Sequence, residues 1–83
     1  MAMTLRKPRL GPERRGALGI LADAPRGLTE GFMLAYGFTP ETIASLVRDG
    51  LATMRPETMK AGGRTIEVIR VKITDAGLQA LEG

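Results

Sequence analysis

Cysteine and histidine are both absent from these 83 residues, so any chemistry rests on hydroxyls, carboxylates, ammonium and guanidinium groups. Disulfides, thiol nucleophiles, the usual zinc sites, the commonest general base and any Ser-His pair are thereby excluded. The nine acids are dispersed among positions that suit helix caps and solvated surfaces, with no metal-like cluster. Neither a Gly-x-Gly-x-x-Gly nor a P-loop spacing occurs. What remains is the chemistry of binding, with cations for phosphates and short polar side chains for hydrogen bonds. No enzyme activity, cofactor or metal is expected.

The cations are unevenly placed. The net charge is only +3, but residues 1–26 carry six Lys/Arg against two acids, and residues 51–73 carry five against two. Residues 27–50 carry one against three. Positive charge therefore brackets a slightly acidic centre, an arrangement suited to phosphate contacts on either side of it.

Helix signals dominate the first 51 residues. Residues 1–10 show no periodicity and include Pro8, and they read as a flexible basic arm ahead of a single domain over 11–83. A first helix is expected from Pro12, with Glu13 near its positive end and Leu18, Leu21 and Ala22 as its buried stripe, ending before Pro25. A second opens at Leu28-Thr29, with Thr29 as N-cap, and stops at Gly37. Phe32 to Tyr36 are consecutive and apolar, so this helix should be covered on more than one side. Met33, Leu34 and Tyr36 are the expected partner interface, against a second copy or another protein. Phe32, Tyr36 and Phe38 are expected in the core, which leaves no stacking platform for single-stranded nucleic acid.

The third helix has the clearest boundaries. Thr39 caps it, Pro40 fits its first position, Glu41 sits in its first turn, and Gly50-Leu51 suits a Schellman stop. Ile43, Leu46 and Val47 form the apolar stripe. Glu41, Ser45 and Arg48 lie opposite, with Thr42 and Asp49 at the edge.

Beyond Leu51 the pattern is extended. Residues 51–55 suit a short strand, Gly62-Gly63 a tight reversal, and Thr65–Ile73 a β-rich run. Ile66 and Val68 are out of phase with Ile69, Val71 and Ile73, which predicts a bulge near Val68-Ile69. Thr74-Asp75 then caps a short last helix contacting the rest through Ala76, Leu78 and Leu81. The fold class is α+β, a three-helix core with a β-hairpin and a short C-terminal helix. No apolar run approaches the roughly 18 residues that span a bilayer, and the first residues lack the apolar stretch of a secretory signal. A cytoplasmic protein is expected.

This order resembles the winged helix-turn-helix regulators of the multiple-antibiotic-resistance (MarR) type. The matching residues are Leu28-Thr29, the turn Gly37-Phe38-Thr39-Pro40, the run Leu46-Val47 through Gly50-Leu51, and Ile73-Thr74-Asp75-Ala76-Gly77-Leu78. The match is to a minimal form, without the long terminal helices that pair subunits there. The resemblance implies a transcriptional regulator that places its third helix, about 39–50, in the major groove of double-stranded DNA. It implies Thr39, Thr42, Ser45 and Arg48 as reading residues. It also implies Lys60 and Arg64 as contacts of a 55–65 wing, and Arg14 and Arg15 as backbone grips. The other reading is a winged helix that binds a protein partner and no DNA.

Overall fold

The computed structural model describes residues 10–82; the basic arm expected over 1–10 lies outside them, except Leu10, which packs against the core. Seven elements follow in order: α1 (Pro12–Ala22), β1 (Leu28–Thr29), α2 (Glu30–Tyr36), α3 (Pro40–Arg48), β2 (Ala52–Ala61), β3 (Arg64–Ile73) and α4 (Asp75–Glu82). The fold is α+β, four helices on a three-stranded antiparallel sheet ordered β1-β3-β2. No helix among the described residues is long and apolar enough to cross a membrane.

The helix ends form where the local chemistry favours them. The Phe32 N–H donates to Thr29 Oγ1 (3.1 Å) and the Thr42 N–H to Thr39 Oγ1 (3.1 Å), each satisfying a donor left free in a first turn. At the end of α3 the Leu51 N–H reaches the Leu46 carbonyl (2.8 Å) and the Gly50 N–H reaches Val47 (3.0 Å), the bond pair of a Schellman motif. Gly50 makes this possible with φ of 76°, a left-handed conformation that costs a residue with a Cβ about 1–2 kcal/mol.

The core gathers Leu18 and Leu21 of α1, Met33 of α2, Ile43 and Leu46 of α3, then Leu51, Ala52 and Val71. Residues 28–29 are a strand as well as a helix entrance, pairing Leu28 with Val71 and Thr29 with Arg70. Two residues are too few to show the alternation by which a strand is read from sequence.

The hairpin differs most from expectation. β2 is ten residues long, not five, and its register with β3 is unbroken from Ala52–Ile73 to Ala61–Arg64. There is no bulge. The phase change at Val68 needs none, because the outer half of the ribbon is solvated on both faces and either phase is tolerated. Ile66 and Met59 pair across the strands and remain partly exposed. Gly62 and Gly63, with φ of 59° and 80°, form a two-residue turn of the type I′ pattern. Counting pairs back from that turn places Pro56 at a non-hydrogen-bonded site on the edge strand, where its missing N–H interrupts no ladder bond.

α4 docks through Gly77, with Ala80 and Leu81 half-buried, whereas Ala76 and Leu78 face outward. A Cβ on Gly77 would overlap the Leu51 carbonyl and the Ile73 side chain. The helix backbone therefore sits on the α3–β2 turn, and its apolar stripe is rotated from the one expected.

Candidate nucleic-acid interface

α3 presents a narrower polar face than its sequence promised. Thr42 is buried and its hydroxyl lies 3.0 Å from that of Thr39, so it cannot read bases; the core-facing side of the helix is centred nearer Leu46 than Ile43. Thr39 is exposed, but its oxygen caps the helix and its proton points to Thr42 Oγ1 or to the more distant Glu13 carboxylate. Ser45 is half-buried and donates to the Thr42 carbonyl at 2.8 Å. The exposed stripe is Glu41, Ala44 and Arg48. Ala44 was missed because nothing but helix rotation singles it out. Arg48, with its side chain 76% exposed, reaches Asp49 only at 3.9 Å, which leaves the guanidinium available.

The two cations at the start of α1 are structural. Arg14 lies 2.5 Å from Asp49 Oδ2, with the two side chains only 20% and 28% exposed, a tie between α1 and the end of α3. Its charge is largely spent there, which corrects the expectation of a phosphate grip. Arg15 donates to the Leu81 carbonyl (3.1 Å) and so closes the C-terminal end of α4, where cations are favoured.

Lys60 and Arg64 are exposed beside the Gly62-Gly63 tip and make no ion pair among the described residues. Strand parity puts them on opposite faces: Lys60 shares a face with Ala52 and Met54, Arg64 with Arg70 and Lys72. The ribbon carries five basic and two acidic residues over 52–73, against one of each on the exposed stripe of α3. Between these two elements the excess of positive charge therefore lies on the ribbon.

The aromatic residues also differ from expectation. Met33, assigned to a partner interface, is fully buried in the core of its own chain. Phe32, by contrast, is 49% exposed and Tyr36 62% exposed, with Leu34 at 39%. α2 is anchored by β1 on one side, and that rotation turns Met33 inward. Phe32, Tyr36 and Phe38 stack in file at centroid distances of 5.9 and 5.8 Å, and Phe38 lies over Gly16 of α1. The faces between rings are used up by stacking, so the file offers edges and one end to a partner.

Among the described residues no acidic side chains are grouped to hold a metal ion. No family model, curated protein or solved structure matches the chain.

Proposed function

We propose that the chain is a winged-helix module that binds double-stranded DNA, most simply as a small transcriptional regulator. The single observation behind this reading is the pairing of a capped, exposed α3 with a long ribbon that keeps unpaired cations on both sides of its tip. In this arrangement the Glu41–Ala44–Arg48 face of α3 enters the major groove. Arg48 is suited to bidentate contact with guanine, and the small Ala44 allows close approach and apolar contact with a thymine methyl. Lys60 and Arg64, one on each face of the wing, straddle the phosphate backbone or the edge of the minor groove. Affinity comes chiefly from the wing, and base preference from Arg48.

The reading is tested by titrating isotopically labelled protein with a short duplex of mixed sequence. Amide signals of residues 41, 44, 48 and 60–64 should move together and saturate. If they stay fixed at low salt, the docking is wrong.

The Phe32–Tyr36–Phe38 file supports a second reading, a partner-binding winged helix. An apolar aromatic surface of this kind marks contact with another protein. Concentration-dependent sedimentation that disappears in Tyr36→Ala, with DNA binding absent from wild type, would favour it.

A further inference from the structure

The outer face of the sheet, turned away from the buried side chains, carries a second basic site. Parity places Thr53 and Arg55 of β2 and Arg70 and Lys72 of β3 on this face, opposite the core-facing Ala52 and Val71. With Glu57 and Thr74 they line a groove of about 370 Å³, a volume within the usual range for a small-ligand site.

Two features make the groove more than a solvated patch. Arg55 and Arg70 are directly opposed across the strands, in a hydrogen-bonded pair by count from the turn. There the Cα atoms are about 5.5 Å apart, and like charges so placed destabilise a sheet. Glu57 offsets only one of them, accepting from Arg70 Nε at 3.0 Å. Arg55 keeps an exposed cation directly beside that pair. Arg70 and Lys72 are also held in place. Gly27, at φ of 89°, comes so close that a Cβ would meet Lys72 Cγ at 2.6 Å and Arg70 Cδ at 3.0 Å, and Arg70 further donates to the Gly27 carbonyl (3.4 Å). The stems of both side chains thus lie along a glycine backbone, and the Arg70 guanidinium is held by Glu57 and the Gly27 carbonyl before any ligand arrives.

We infer that this groove binds a small phosphorylated ligand carrying at least two neighbouring anionic groups. One anion lies between Arg55 and Arg70 and relieves their repulsion, and the next meets Lys72, with the Thr53 hydroxyl as a neutral donor. Guanidinium–phosphate bonds of this kind are charge-assisted and directional. Of the proposed DNA contacts Arg48, Lys60 and Arg64, only Arg64 shares this face of the ribbon, and it stands six residues from Arg70 along β3, about 20 Å nearer the tip.

Pyrophosphate, titrated at constant ionic strength into labelled protein, tests it. Saturable shifts confined to residues 53–57 and 70–74 are expected. Arg55→Ala and Lys72→Ala should each weaken binding about tenfold, while Lys60→Ala and Arg64→Ala leave it unchanged. The variants alter exposed side chains, and unchanged dispersion of the remaining signals verifies their fold. Shifts that fail to saturate, or that persist in Arg55→Ala and Lys72→Ala, overturn the inference. So does a duplex that displaces pyrophosphate and loses affinity in the same two variants, because the groove would then be a nucleic-acid contact.

Discussion

Thr74 donates to the Gly50 carbonyl (2.7 Å) and accepts from the Gly77 N–H (3.0 Å), so one hydroxyl fastens the stop of α3 to the start of α4. Gly77 completes the joint by letting the α4 backbone rest on the Leu51 carbonyl. Gly77→Ala should therefore destabilise the fold by about 1–3 kcal/mol, in the range of overpacked sites. Urea unfolding would show it, and an unchanged midpoint would refute the close contact. The Arg14–Asp49 pair makes a similar prediction between α1 and α3. In a double-mutant cycle with Arg14→Ala and Asp49→Ala, the coupling should be about 1 kcal/mol, since the pair is partly shielded from water but not fully buried. The run Ile73–Leu78 was visible in the sequence, and the capping role of Thr74 was legible there. The need for glycine was not, because it arises from a turn more than twenty residues earlier in the chain.

At the scale of elements, caps and stops were read from local chemistry and the structure has them: Thr29, Thr39, Gly37, Gly50 and the Gly62-Gly63 turn act within a few residues of themselves. Helix rotation was harder to read. In α2 five consecutive apolar residues gave no polar face to orient the wheel, and only pairing of β1 with β3 turns Met33 inward. Met33→Ala should accordingly cost about 2–5 kcal/mol, as truncations in closed cores do, whereas Tyr36→Ala should cost less than 1.5 kcal/mol, the loss of an exposed ring contact. Thermal unfolding of the two variants ranks them; equal losses would contradict the assigned rotation. In α3 the shift of the buried face toward Thr42 removed one expected reading residue, and Ser45 turned its hydroxyl to the backbone. The ribbon's register departs from the short first strand and the bulge expected from the sequence, because both strands run unbroken for ten residues. A two-residue turn at Gly62-Gly63 fixes every cross-strand pair, including Arg55 with Arg70, once both strands are allowed their full length.

At the scale of the whole molecule, charge is segregated from shape. The helices supply a compact support whose cations are largely committed: Arg14 to Asp49 and Arg15 to Leu81. Five further cations lie on the ribbon, divided between the tip and the outer-face groove, and Arg48 stays available on α3. In the proposed winged-helix reading, α3 gives register and preference while the tip gives affinity, because neutralised phosphates dominate binding to duplex DNA. Arg48→Ala should thus narrow the difference in affinity between preferred and random duplexes with little effect on the salt dependence. Competition binding with the two duplexes checks it. The most direct test of the account is the salt dependence of duplex binding for wild type and for the double variant Lys60→Ala/Arg64→Ala, followed by fluorescence anisotropy. The logarithmic slope should fall by about 1.8, two phosphate contacts at roughly 0.9 each, with affinity reduced alike on every sequence. An unchanged slope, or wild-type protein that leaves duplex unbound at low salt, would contradict it.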